Sequence, residues 1–343
     1  MAVRVAINGF GRIGRCFLRA AMHEPDIEVV AINDLGNLDN LAYLLKYDSV
    51  YRQFPGQVSV QNGELVIGAK HIAVTAEKDP AKLPWKALNI DVVVESTGLF
   101  TDFAKAKAHL TAGAKRVVIS APAKDGADEA GVAVTGVTVL MGVNEAKLAG
   151  QTLSSNASCT TNAASPLIAI LDAAVGVEKA VLSTVHGYTA SQSLVDGPSK
   201  KDFKEGRAAA QNIVPTSTGA AIAVTQAYEQ LKGKFDGISL RVPVPAGSIA
   251  DVTFIAKRNT TVEEINGALE AAAALPQWAG VFSVTHDPFV SSDIIGSEFG
   301  SIADLSLTRV IDGNLVKVLA WYDNEMGYTH TLLKHVKMAG SVQ

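Results

Sequence analysis

The chain has 343 residues, with 30 Lys and Arg against 34 Asp and Glu (net charge −4) and 48% apolar residues. That much apolar material excludes a disordered chain, the slight acidity argues against a nucleic-acid partner, and at about 150 residues per domain the length suggests two domains. Only two cysteines, Cys16 and Cys159, exclude a disulfide-framed scaffold and point to a reducing, cytoplasmic setting; no run of about 18 apolar residues suggests a membrane partner.

Val3-Arg4-Val5-Ala6-Ile7 is a short β-branched run that starts a folded domain and ends at Asn8-Gly9. Arg12 to His23 favours helix and is stopped by Pro25-Asp26, and Ile27 to Ile32 is a second strand ending at Asn33-Asp34. Strand, helix and strand within about 30 residues predict a parallel βαβ unit with a right-handed crossover. Strands over 92–95 and 116–120 flank a predicted helix from Phe103 to Ala112, with Gly113 as its stop. Continuously apolar strands suit a parallel sheet covered on both faces. Residues 1–157 therefore read as a doubly wound α/β domain.

Beyond about residue 150 the strands lengthen: 180–186, 237–244, 250–257 and 315–322, interleaved with Ala-rich helices near 163–175 and 262–274. They predict an α+β domain over 158–324 with a mixed, largely antiparallel sheet. Gly187 to Pro215 is a long loop, in which Lys200 and Lys201 read as a solvated face. Thr329 to Met338 closes the chain as a helix.

Gly9-Phe10-Gly11-Arg12-Ile13-Gly14 matches G-x-G-x-x-G directly between a strand and a helix. There the first glycine permits the turn, the second admits a pyrophosphate to the backbone, and the third lets helix pack on strand. Asp34 ends the next strand 20 residues after Gly14, where a carboxylate bonds ribose hydroxyls and repels a 2′-phosphate. The expected cofactor is NAD on a Rossmann domain. Ser96-Thr97-Gly98 and Ser120 follow strands, beyond whose carboxyl ends ligands bind in doubly wound sheets.

Cys159 lies just ahead of the apolar segment Ala163 to Val175, where a helix dipole would lower its pKa, while Cys16 sits inside the first helix as filler. His186 ends an apolar strand and is a candidate base for the thiol. Thr189, Ser191, Arg207, Arg241 and the Ser217-Thr218-Gly219 helix start are candidate anion binders. No metal site is expected.

These motifs, in this order, resemble the glyceraldehyde-3-phosphate dehydrogenase family over essentially the whole chain. They include Ala6 to Arg15, Glu95-Ser96-Thr97-Gly98, Ser155-Asn156-Ala157-Ser158-Cys159-Thr160-Thr161-Asn162, Asp196-Gly197-Pro198, Asn212 to Ala221 and Trp321-Tyr322-Asp323-Asn324-Glu325. The resemblance implies that Cys159 is the nucleophile and His186 its base. It implies that Thr189, Ser191 and Arg241 hold the phosphate of glyceraldehyde 3-phosphate, and that Ser158, Thr160, Thr218 and Gly219, with Arg207 nearby, hold inorganic phosphate. Asn8 to Gly14, Asp34, Lys78, Ser96, Thr97, Gly98, Phe100, Ser120, Asn324 and Tyr328 would surround NAD. A terminal helix, 325–343, would return to the cofactor domain, and the 187–215 segment would be the family's S-shaped loop at a homotetramer interface. Three departures stand out: Ala163 where a second cysteine is common, Met326 where tryptophan is frequent, and Glu205 where bacterial members carry arginine. Erythrose-4-phosphate dehydrogenase, whose thioester is hydrolysed, shares the cysteine and histidine motifs. A non-catalytic dinucleotide-binding regulator is the alternative of a different class, and the intact Cys159 and His186 motifs disfavour it.

Overall fold

The computed structural model describes residues 2–199 and 202–341, so Lys200 and Lys201 lie outside the described residues. The chain forms two compact units, Met1–Val139 with Glu145–Ala157 and Leu332–Gln343, and Leu140–Asn144 with Ser158–Thr331.

The first unit carries a nine-stranded sheet. In chain order its strands are β1 (Val3–Asn8), β2 (Ile27–Asn33), β3 (Val58–Gln61), β4 (Glu64–Ile67), β5 (Lys70–Thr75), β6 (Val92–Glu95), β7 (Arg116–Ile119), β8 (Val137–Thr138) and β9 (Leu153–Ser155). Their spatial order is β8-β9-β7-β6-β1-β2-β5-β4-β3. All pairs from β8 to β5 are parallel, and β4 and β3 add an antiparallel edge. Helix α1 (Arg12–Ala21) crosses from β1 to β2. Val92, Val93 and Val94 are wholly buried, as expected of a strand covered on both faces. The chain leaves β1 toward β2 on one side and pairs with β6 on the other, which puts a topological switch point at the ends of β1 and β6, where Asn8 and Glu95 are register partners. The helix expected over 103–112 is broken into two short turns, Phe103–Ala106 and Ala108–Thr111, where His109 is drawn into the core.

The second unit carries an eight-stranded mixed sheet: β10 (Val177–Gly187), β11 (Val214–Ser217), β12 (Phe235–Val242), β13 (Ser248–Ala256), β14 (Phe282–Thr285), β15 (Ser301–Asp304), β16 (Arg309–Ile311) and β17 (Leu315–Tyr322). The order is β11-β12-β10-β13-β17-β15-β14, with β16 beside β17. Only β10 with β12 and β14 with β15 are parallel. The last helix, Met326–Ser341, starts in the second unit, and from Leu332 onward it belongs to the first. Among the described residues no helix is long and apolar enough to cross a membrane.

Candidate active site

In the first unit, backbone packing dictates the glycine-rich turn. Gly9 has φ +95°, and a Cβ there would lie 2.6 Å from the Thr97 nitrogen. A Cβ on Gly14 would lie 2.2 Å from the Gly9 carbonyl oxygen, whereas one on Gly11 would meet nothing within 4 Å. The first and third glycines are thus demanded by the fold itself, and the second faces open space at the start of α1. No side chain caps that helix start. Asp34 accepts the Phe10 N–H at 2.7 Å through one oxygen and the Gly36 N–H at 2.8 Å through the other. The Ser96 hydroxyl donates to the Gly9 carbonyl at 2.8 Å. A bare turn at an uncapped helix N-terminus, with a carboxylate at the end of β2, fits the pyrophosphate and ribose of a dinucleotide.

A buried polar chain that the sequence did not reveal runs behind this turn. Trp85 donates from Nε1 to Nδ1 of His109 at 3.0 Å, which assigns the ring hydrogen to Nε2, 3.0 Å from Glu95. Glu95 also accepts from the Asn8 amide at 2.6 Å and the Thr97 N–H at 2.8 Å, and Asn33 donates to Asn8 at 2.7 Å. Asn8, Asn33, Glu95 and His109 are all buried. Their bonds tie together the ends of β1, β2 and β6.

The other expected cofactor residues are more scattered. Arg12 pairs with Asp48 at 2.5 Å and lies over the Tyr51 ring, and Ile13 is half-buried. Lys78 is exposed, Gly98 has φ +74°, Phe100 meets His109 edge-on, and the Ser120 N–H donates to the Glu95 carbonyl. Asn324 and Tyr328 belong to the second unit. Asn324 accepts through Oδ1 from the Gly247 N–H and the Ser248 hydroxyl, and buried Tyr328 donates its N–H to the Asp323 carbonyl.

In the second unit Cys159 is the first residue of α3, if α2 denotes Leu38–Lys46 and α3 Cys159–Val175; it does not precede the helix, as expected from the apolar run. Ser158 is the N-cap, its hydroxyl accepting the Thr161 N–H at 3.1 Å. Nε2 of His186, at the end of β10, lies 3.3 Å from the Cys159 sulfur. Nδ1 of the same ring is 2.6 Å from the Gly187 carbonyl oxygen, a contact that requires a hydrogen on Nδ1 and leaves Nε2 free to accept the thiol proton. Arg241, the register partner of His186 on β12, brings Nη1 to 2.7 Å from Nδ1. Two donors cannot share one contact, and Arg241 also reaches the Gly187 carbonyl at 3.4 Å; we therefore assign the Nδ1 hydrogen to that carbonyl.

Burial pushes the Cys159 thiol up; Arg241, the Thr160 N–H and hydroxyl, and the N–H of Cys159 itself favour thiolate without offsetting it. This runs against the expectation of a lowered thiol: desolvation outweighs the Arg241 cation and the hydrogen bonds to the sulfur. Burial first and Arg241 second push His186 down to about 3. The resting pair is a neutral thiol against a neutral imidazole.

Tyr322 supports this pair, a role the sequence signalled only through the Trp321-to-Glu325 string. Its hydroxyl bonds Thr160 at 2.8 Å and Thr184 at 2.7 Å, and its ring meets His186 edge-on. The next residue, Asp323, accepts the N–H groups of Gly296, Glu325 and Met326. Cys159, His186, Arg241 and Thr160 are thus brought together. Thr189 and Ser191 form a separate hydroxyl pair at 3.1 Å, and Thr218 with Gly219 opens α4 (Ala220–Ala227), where the Thr218 hydroxyl accepts the Ala220 N–H at 3.1 Å. Arg207 stands apart, exposed and paired with Asp196 at 2.8 Å. Cys16 is buried in α1.

Two family models match the chain: glyceraldehyde 3-phosphate dehydrogenase, NAD binding domain, over residues 3–103, and glyceraldehyde 3-phosphate dehydrogenase, C-terminal domain, over residues 158–324. Curated relatives with the name glyceraldehyde-3-phosphate dehydrogenase include those of Mycobacterium avium (49% identical, covering 99% of each chain), Clostridium pasteurianum (48%, 96% of each) and Geobacillus stearothermophilus (47%, 97% of each). A cysteine that opens a helix against a histidine, a glycine turn built for a dinucleotide, and these matches lead to one conclusion: the chain belongs to the glyceraldehyde-3-phosphate dehydrogenase family.

Proposed function

We propose that the protein oxidises glyceraldehyde 3-phosphate to 1,3-bisphosphoglycerate with NAD and inorganic phosphate. The reading rests chiefly on the 3.3 Å contact between Cys159 and His186 beside the Arg241 cation. His186 takes the thiol proton at Nε2 as the sulfur bonds to the aldehyde carbon, giving a hemithioacetal. Backbone N–H groups at the start of α3 stabilise the developing oxyanion. NAD, when bound, supplies the hydride acceptor. His186 passes the proton from Nε2 to the oxyanion, completing the hemithioacetal hydroxyl, and takes it back as the carbon releases its hydride, leaving a thioester on Cys159. Inorganic phosphate then attacks the thioester, the carbon–sulfur bond breaks, and the acyl phosphate departs from the regenerated thiolate.

Arg241 with Thr189 and Ser191 binds the phosphate of the aldehyde substrate, and the α4 N-terminus at Thr218 and Gly219 takes inorganic phosphate, with Ser158 and Thr160 beside the sulfur. Arg207 enters this second site only by leaving Asp196. With Glu205 two residues earlier, the helix terminus carries more of the anion binding than a cation does.

A homotetramer is the assembly this reading implies. It is supported by the sheet face opposite His186, where Val181 and Ile238 are 59% and 51% exposed, and by Leu194 and Phe203, 80% and 90% exposed on the 187–215 loop. A second copy of the chain would cover such apolar surface. Two cysteines that form no disulfide support a cytoplasmic setting.

Absorbance of NADH from glyceraldehyde 3-phosphate, with and without phosphate and with NAD or NADP, tests the reaction. Sustained turnover should require both phosphate and NAD. Turnover at an equal rate without phosphate would mean hydrolysis and overturn the reading.

A further inference from the structure

His335 lies on α6, if α5 denotes Val262–Ala273 and α6 Met326–Ser341, and is wholly buried. Its Nδ1 is 3.2 Å from the Asn156 amide oxygen and its Nε2 is 2.9 Å from the Ser154 hydroxyl. An amide oxygen only accepts, so Nδ1 carries the hydrogen; the neutral ring then accepts the Ser154 hydroxyl proton at Nε2. Both contacts are satisfied by one tautomer. The residue it grips, Asn156, is fully buried and 179 positions away in the chain.

Asn156 stands at a strained corner. Ala157, which follows it, is buried with φ +54°, in the left-handed region that a side chain with a Cβ keeps only where its surroundings over-determine it. The surroundings do so here. The Ser155 hydroxyl donates to the Ala121 carbonyl at 2.6 Å and accepts the Ala157 N–H at 3.0 Å, while the Asn156 N–H donates to the Ile119 carbonyl at 3.0 Å. Next in the chain come the N-cap, Ser158, and Cys159. We infer that His335 is a positioning residue for the reaction: by holding the Asn156 side chain it fixes the left-handed corner from which Cys159 is aimed. The inference rests on the reading of Cys159 as the nucleophile.

Two substitutions in the full-length protein separate aiming from mere stability. His335→Asn keeps a donor where Nδ1 stands and loses Ser154; His335→Gln keeps a partner for Ser154 and loses Asn156. Misplacing a reacting group by about 1 Å costs on the order of a hundredfold, so the Gln variant should lose about tenfold in kcat and in the rate of Cys159 alkylation by iodoacetamide. Its KM for the aldehyde should stay unchanged, and the Asn variant should stay within about twofold in both rates. Equal rates in both variants, whether retained or lost, would overturn the inference, whatever the change in melting temperature. A second measurement needs no variant. In protein labelled with ¹⁵N-histidine, two buried rings, His186 and His335, should show a neutral tautomer with hydrogen on Nδ1, and the signal that His335→Gln removes identifies His335; hydrogen on Nε2 of His335 would contradict the inference. Cys159→Ser is the control: retained NADH formation there would fail the nucleophile reading, a result distinct from equal behaviour of the two His335 variants.

Discussion

Arg241 sits 2.7 Å from Nδ1 of His186, its register partner on the adjacent parallel strand, so one cation acts on both His186 and Cys159. It favours the Cys159 thiolate and disfavours the His186 imidazolium. In the proposed reaction the phosphate of the substrate neutralises Arg241 as His186 must accept a proton, easing that penalty when it matters.

Arg241→Gln should therefore move the thiol further up and the imidazole back toward its ordinary value. The pH profile of Cys159 alkylation shifts to higher pH. Loss of a charge-assisted contact to phosphate should also raise KM for the aldehyde roughly ten- to a hundredfold. An alkylation profile that stays put would show that Arg241 does not act on the sulfur.

Asp34→Ala removes both the carboxylate proposed to bind the ribose and the acceptor that holds the Phe10 N–H. NAD affinity, measured by titration without substrate, should fall about tenfold while discrimination against NADP narrows.

His109→Leu leaves the buried Glu95 carboxylate one donor short and the Trp85 indole without its acceptor. A destabilisation of about 1–3 kcal/mol, read as a lower melting temperature of the NAD-free protein, follows from buried polar groups that lose a hydrogen-bond partner. NAD binding should weaken alongside, because the same chain supports Asn8 and Thr97.

Acid should destabilise the fold through its buried histidines. His186 and His335 stay neutral in the folded protein to about pH 3, while in the unfolded chain each protonates near its ordinary value of 6.5. Stability is full above that value and falls as pH drops toward 3, by about 2 kcal/mol per histidine at pH 5. His335→Leu should flatten the acid limb of a plot of melting temperature against pH, whatever it does to the plateau.

Local chemistry was legible in the sequence, and long-range contact was not. The turn from Gly9 to Gly14 and the carboxylate at Asp34 announce themselves because the glycine spacing and the acid at the next strand end all fall within one βαβ unit. The contact of Cys159 with His186 depends on how β10 docks beneath α3, which no spacing encodes. Tyr322 meets Thr160 and Thr184 across 162 and 138 residues, so only its neighbours in the string hinted at a site. The hairpin strands β3 and β4 escaped notice because each is only four residues long and no residue of β3 is buried. The break at Lys107 escaped too, since His109 is pulled toward Glu95 against a helical local preference. The direction of the thiol shift came out reversed because burial is a property of the fold.

The most direct test of the account is to mix enzyme, NAD and glyceraldehyde 3-phosphate without inorganic phosphate, quench after the first turnover, and map the protein by mass spectrometry. A burst of NADH equal to the number of sites, with the acyl group on the Cys159 peptide and released on adding phosphate, is the predicted result. A burst with the acyl group on another residue, or NADH formed with no covalent adduct, would contradict it.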